Sequence, residues 1–260
     1  MFQPETDPNQ PFRDAFVAAV NAGLTKKRAE QPRRQYLGAS MWGEPCARRL
    51  AYGYHQVPVD EGREFKGDTL RIFDMGHDCE ARVAEYLRAA GFDLKTENSE
   101  GKQFGFSAAE GRLKGHIDGV ILAGPALPGL TYPCLWENKG LNDKGWKDCV
   151  NKGVKKAKPL YYAQAQTYMT YKEVGVTLFT ALNRNTGEIM AEVIHHNAKD
   201  AQEYSDRAVR VIQTTHPEEL PRAGHDETSY LCQWCDYRKR CWGIDVKPEK
   251  PVDGKPSWLV

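Results

Sequence analysis

Apolar positions along the chain recur at two spacings, one near the 3.6 residues of a helical turn and one near the two of a strand. Phe12, Phe16, Val17, Val20 and Leu24 keep helical spacing and predict an amphipathic helix over 11–24, after a polar, proline-containing leader over 1–10. Ser40 and Pro45 both offer helix-start chemistry, which puts Cys46 in a helical first turn. Leu70, Phe73, Met75, Val83, Ala84 and Leu87 predict one or two helices over 70–90, ended by Gly91. Segments 92–97 and 103–107 read as short strands. Residues 111–122 and 131–140 then read as two strands of a β-hairpin, with Gly124-Pro125 and Pro128-Gly129 punctuating the turn. Pro159 opens a helix that reaches about Glu173. Two further strands, 176–183 and 188–195, are joined by the turn Arg184-Asn185-Thr186-Gly187, and a last long helix over 198–215 turns Ala201, Tyr204, Ala208, Val211 and Ile212 inward.

Composition narrows the class. A chain of 260 residues, 40% hydrophobic and 27% charged, suits one large domain or a core with appendages. No apolar run approaches the roughly 18 residues of a membrane span, and the start of the chain lacks the basic and apolar regions of a signal peptide, so a cytoplasmic protein is expected. A net charge of +1 excludes no partner, because nucleic-acid binding depends on where positive charge gathers. It gathers in Lys26-Lys27-Arg28, in Arg33-Arg34, and in the run of lysines 144, 147, 152, 155, 156 and 158 around Trp146. That last run reads equally as a solvated loop or as a groove for a phosphate backbone. Seven cysteines, an odd number in a reducing compartment, point to a metal site or scattered core thiols.

The candidate chemistry lies in the hairpin of 111–140. Strand alternation puts Glu137 and Lys139 on one face and Asn138 on the other, and Asp118 can meet them from the neighbouring strand. Two carboxylates can hold magnesium or manganese through oxygen ligands, and the ion activates a water and neutralises phosphate charge, as phosphodiester hydrolysis requires. An isolated acid followed much later by Glu-x-Lys would more often be surface charge. His77 and Glu80 share a helix face, as do Gln164 and Tyr168; the histidine matters only if its face looks toward the acidic hairpin. Near the C-terminus Cys232, Cys235 and Cys241 stand in Cys-x2-Cys-x5-Cys order, a strong metal-ligand signal that leaves a fourth ligand to find. Cys79, Cys134 and Cys149 fall in segments needed for the core, whereas Cys46, beside Arg48 and Arg49, is freer and has a setting that favours a thiolate.

These residues together resemble the Cas4-like and RecB-like nucleases of the PD-(D/E)XK superfamily, over about 40–241. The resemblance lies in one cysteine before the core and three after it, the histidine of Met75-Gly76-His77, the aspartate of Gly115-His116-Ile117-Asp118-Gly119, Glu137-Asn138-Lys139, and Gln164 with Tyr168. It implies an α/β fold: a restriction-endonuclease-like core, a central mixed sheet flanked by helices, with an N- and C-terminal cysteine-clasped appendage. The implied division is a leader and helix over 1–39, a nuclease core over 40–220, and a cysteine segment over 221–260 closing onto Cys46. The implied function is a metal-dependent DNA exonuclease of phage or prokaryotic recombination, repair or processing. His77, Asp118, Glu137 and the backbone carbonyl of Asn138 would hold Mg2+ or Mn2+, and Lys139 would position the water. Gln164, Tyr168, Lys155 and Lys156 would contact DNA, single-stranded or at an end, and recombination or replication proteins are possible partners. Cys46, Cys232, Cys235 and Cys241 would bind an iron-sulfur cluster of the four-iron type, with zinc as the alternative on coordination alone. Asn138 stands where many relatives carry an apolar residue, and Gly140 directly follows the lysine. The competing reading is a nucleic-acid-binding or assembly module that keeps the fold and the staple without cleavage.

Overall fold

The computed structural model describes residues 7–244. In chain order the elements begin with α1 (Gln10–Ala29), β1 (Leu37–Gly38), α2 (Ala47–Tyr54) and α3 (Gly67–Ala89). Four short strands follow, β2 (Leu94–Lys95), β3 (Gly105–Ala108), β4 (Leu113–His116) and β5 (Gly119–Ile121), and then the long strand β6 (Cys134–Leu141). Helices α4 (Asp143–Lys152), α5 (Val154–Ala157) and α6 (Pro159–Lys172) lead to β7 (Val176–Asn183), β8 (Ile189–His195) and α7 (Ala198–Gln213). Two short helices, α8 (Tyr230–Gln233) and α9 (Arg238–Trp242), carry Cys232 and Cys241, with Cys235 between them.

The strands form a mixed sheet in the order β2-β5-β6-β7-β8 and a smaller one in the order β1-β4-β3. In the larger sheet β6 and β7 run parallel and every other neighbour is antiparallel. Parallel neighbours need a long crossover, which α4, α5 and α6 supply. The expected mixed α/β architecture, a central mixed sheet flanked by helices, is the one observed. Because β6 is covered on both faces, it reads as a nearly continuous buried run. Leu135 and Leu141 join the cluster shared with Tyr162, Ala165 and Tyr168 of α6, whereas Cys134 and Trp136 join Val83 and Ala84 of α3 on the other face. Among the described residues no helix is long and apolar enough to cross a membrane.

Four local expectations are corrected. The single strand expected over 111–122 is broken: β4 belongs to the small sheet and β5 to the large one, so the chain changes sheets at Ile117-Asp118. The first helix runs on to Ala29, taking in Lys26, Lys27 and Arg28, whose charges suit the negative end of the helix dipole. Its apolar stripe is not inward, since none of its residues is buried and Phe12 is 70% exposed. The lysine run over 142–158 is no loop; Asn142 caps α4 by accepting the N–H of Gly145, and α5 follows. Cys46 is the residue before the first turn of α2.

Gly140 has a local role. A Cβ there would come within 2.9 Å of Cys79 Sγ, so the missing side chain is what lets α3 lie close against β6.

Candidate active site

The β5–β6 register sets Gly119 opposite Trp136, which brings Asp118 alongside Glu137 and Asn138. The backbone N–H of Asn138 donates to Asp118 Oδ2 at 2.8 Å. Lys139 Nζ donates to Glu137 Oε1 in a short contact and lies 5.4 Å from the ring centroid of Tyr161. On the opposite face Asn138 Oδ1 accepts from Thr180 Oγ1 at 2.8 Å, and that hydroxyl accepts from Trp136 Nε1 at 2.9 Å. The amide side chain at 138 is thus a buried hydrogen-bonding partner through its Oδ1, while its Nδ2 is buried without a partner among the described residues. Glu137 Oε2 is buried without a hydrogen-bond partner among the described residues.

A cleft of about 480 Å³ opens over this group. His77 and Glu80 of α3 line it, as do Asp118 and the Gln164–Tyr168 pair of α6, in which Gln164 Nε2 donates to Tyr168 Oη at 3.0 Å. Glu137 is only 1% exposed, so of the two hairpin acids it is Asp118 that reaches the cleft surface.

Burial governs the charges. It raises the Asp118 carboxyl above the usual range, opposed by Lys139, by the Asn138 N–H and by His77. Burial, then the charge of Asp118, push Glu137 up to about 8 against the pull of Lys139. The same two causes push Glu80 up to about 7. For Lys139 burial acts downward, but Glu137 and Asp118 outweigh it and hold the ammonium charged. Three carboxyls against one ammonium leave surplus negative charge, which a shared proton or a hard cation would relieve. The oxygen donors and the orphaned Glu137 Oε2 fit magnesium or manganese. Among the described residues, however, no three His, Cys, Asp or Glu side chains are gathered closely enough to hold an ion as they stand.

The expected ligands are brought together unequally. His77 lines the cleft, but its side chain is 83% exposed and its Nδ1 stands 4.0 Å from Glu80 Oε2. Glu80 is the α3 residue electrostatically linked to Asp118, and sequence reasoning noted only that it shares a face with His77. Sequence reasoning also missed Tyr36, Lys114 and His116, which line the cleft from β4 and the segment before β1. Lys155 and Lys156 do not line it; Lys155 donates to Asp200 at 2.6 Å, and Lys147 and Lys152 pair with Asp143 and Asp148.

Cys46, Cys232, Cys235 and Cys241 line a second, small cavity, together with Arg49, Arg222 and Arg238. Cys134 and Cys149 are buried in the core, and Cys79 packs against Gly140, so only Cys46 of the four candidates shares that cavity. Burial pushes the Cys235 thiol up to about 12, against the Tyr237 N–H that donates to its Sγ at 3.5 Å and the charge of Arg49. Burial likewise raises Cys46. Arg238 Nε is buried without a hydrogen-bond partner among the described residues. Four thiolates around a zinc ion or an iron-sulfur cluster carry net negative charge, which Arg222 and Arg238 would offset, Arg49 being paired with Glu44 and Asp236. A brace independent of the thiols spans the same region, where Arg49 bridges Glu44 and Asp236 at 3.0 Å each.

No family model matches the chain, and no curated protein matches it by sequence. Among solved structures it is similar to an alkaline exonuclease from Laribacter hongkongensis, at 15% identity and a TM-score of 0.46, over 69% of this chain and 89% of that one. The same enzyme in complex with dAMP matches at 14% identity and a TM-score of 0.46, over 69% and 87% of the two chains. A phage related exonuclease from Haemophilus somnus matches at 11% identity and a TM-score of 0.40, over 64% and 77%.

Proposed function

We infer that the chain is a metal-dependent DNA nuclease, acting as an exonuclease, built on a restriction-endonuclease-like core of PD-(D/E)XK type. The observation that carries the reading is the buried Glu137, with one oxygen held by Lys139 and the other unpartnered, set beside Asp118 beneath an open cleft. A surface hairpin with incidental charges would not bury an acid to 1% exposure and leave half of it unsatisfied.

Asp118, Glu137 and the backbone carbonyl of Asn138 would hold Mg2+ or Mn2+, with Glu80 and His77 completing the set from α3. When bound, the ion supplies a nucleophilic water at neutral pH and offsets charge on the phosphate. Lys139 orients that water and stabilises developing negative charge, which its persistently protonated state supports. Gln164 and Tyr168 guide the strand across the cleft floor. Cys46, Cys232, Cys235 and Cys241 bind an iron-sulfur cluster or zinc that pins the segment after 220 to the core. The N–H···S contact and the surrounding guanidiniums support a thiolate-bound centre there. The work suits phage or prokaryotic DNA recombination, repair or processing.

The test uses the full chain with Mg2+ or Mn2+ and DNA labelled at either end. Stepwise loss of nucleotides from one end, abolished in Asp118→Asn, is the expected result. Folded protein that binds DNA and leaves every labelled strand intact would favour a binding or assembly module instead.

A further inference from the structure

One wall of the cleft has no part in the acid cluster. Arg34 lies 5.1 Å and Lys114 5.2 Å from the ring centroid of Tyr36, and the His116 ring stands 6.2 Å from the same ring. All four side chains line the cleft that contains Asp118. Tyr36 is half-buried while Arg34 and His116 are exposed, and the Arg34 and Lys114 cations both lie over the ring, so a base that stacks on Tyr36 takes the place of one of them. Gly38 is the parallel partner of Lys114, and the end of the Arg34 side chain passes over it, 2.9 Å from where a Cβ would stand.

The charges on this wall lack counter-ions. Among the described residues neither Arg34 nor Lys114 makes an ion pair, in contrast to Lys147, Lys152 and Lys155, each neutralised by an aspartate. Cations gathered on an aromatic ring and left without carboxylates suit a ligand with both a phosphate and a flat base. The cavity size restricts the ligand further. About 480 Å³ is the scale of a small-molecule site, room for a nucleotide or a short stretch of unpaired strand.

We propose that Tyr36, Arg34, Lys114 and His116 form a nucleotide subsite that holds unpaired DNA. Tyr36 stacks a base, with His116 beside it, and Arg34 and Lys114 take the flanking phosphates. The subsite selects a single strand over a duplex and presents its backbone to Asp118. This rests on the nuclease reading for the place of the chemistry, but binding itself needs no cleavage.

The test is fluorescence anisotropy in EDTA, with a fluorescein-labelled oligothymidylate and with the same strand annealed to its complement as a blunt duplex. The wild-type chain should bind the single strand more tightly. Tyr36→Ala should weaken that binding roughly ten-fold, the scale of one lost base–aromatic stack, and Tyr36→Phe should restore most of it. Arg34→Ala with Lys114→Ala should lower the slope of log affinity against log salt by about 1.4, as two lost phosphate contacts on a single strand require, while Lys155→Ala leaves it unchanged. If Tyr36→Ala does not fold, the arginine and lysine variants carry the same decision. Unchanged affinity and slope, or equal affinity for the duplex, would overturn the subsite. A wild-type chain that cleaves with Mg2+ while the variants bind normally sinks the subsite and leaves the nuclease. Binding through Tyr36 without cleavage does the reverse.

Discussion

The backbone N–H of Asn138 donates to Asp118 Oδ2 at 2.8 Å, so an acid from the break between two strands is tied to the neighbouring strand that carries the other acid and the lysine. Asp118 sits where the chain passes from the small sheet to the large one, outside either strand's ladder. A residue at such a break can present its side chain to the cleft while its carboxylate is still fixed by a strand partner.

The two hairpin acids should be indispensable and separable from folding. Asp118→Asn and Glu137→Gln should each lower the rate of end degradation by at least about a hundred-fold, a loss at the upper end of what removing a residue that only supports a ligand causes. Single-turnover cleavage of labelled DNA, with circular dichroism confirming the fold, is the measurement. Near wild-type turnover in either variant would remove that acid from the site.

Glu80 should matter more than His77. The carboxyl is linked electrostatically to Asp118, while the imidazole is mostly exposed and 4.0 Å from its nearest acid. Glu80→Gln should therefore shift the Mg2+ or Mn2+ titration to higher concentration, and His77→Ala should move it less. The reverse order would make the histidine the ligand from α3.

Stability of the metal-free protein should depend on pH in a defined direction. The folded-state values of Glu137 and Glu80, about 8 and about 7, lie above the ordinary 4.5. Between about pH 4.5 and 8 the folded protein thus binds more protons than the unfolded chain, and stability falls as pH rises through that window. A divalent cation replaces the protons, so the Tm gained from Mg2+ or Mn2+ should grow across the same range. Thermal melts in EDTA and in metal at successive pH values test both halves. A Tm in EDTA that is level or rising between about pH 5 and 8 would contradict the buried charge cluster.

The cysteine cavity should yield a metal on analysis. Anaerobically purified protein should contain iron and acid-labile sulfide, and zinc without sulfide would keep the staple and discard the cluster. Cys235→Ser should lose the metal and raise hydrogen exchange in 40–55 and 225–244 together. The Arg49 bridge should limit that loosening, so Cys235→Ser with Arg49→Ala should exceed the sum of the single changes. Protein with no metal and unaltered exchange would discard both.

Much of this was legible in the chain because it rests on period and spacing. The strand alternation that sets Glu137 and Lys139 on one face, the α6 face shared by Gln164 and Tyr168, and the β7–β8 turn are local properties. Cys46 was freer than the cysteines in segments that pack the core, but its assignment as the fourth ligand came from the family resemblance, since no spacing rule links it to Cys232, Cys235 and Cys241. What escaped depends on contacts between distant segments. Nothing near Tyr36 announces that Lys114 will lie beside its ring, since β1 and β4 pair in parallel across more than seventy intervening residues. Lys155 looked available because its neutralising partner, Asp200, arrives from elsewhere, whereas Lys147 and Lys152 pair with Asp143 and Asp148 one turn back on their own helix. The broken strand at Asp118 was hidden because an apolar run on either side of a sheet change looks like one strand.

Gly140 sets a distance that no acid at the site controls. With Cys79 Sγ only 2.9 Å from where a Cβ would stand, the gap between α3 and β6 is gauged by a missing methyl, and Glu80 is the next residue along that helix. Any side chain at 140 would act as a shim, lifting the helix and withdrawing the third carboxyl from the other two while every acidic group remained in place.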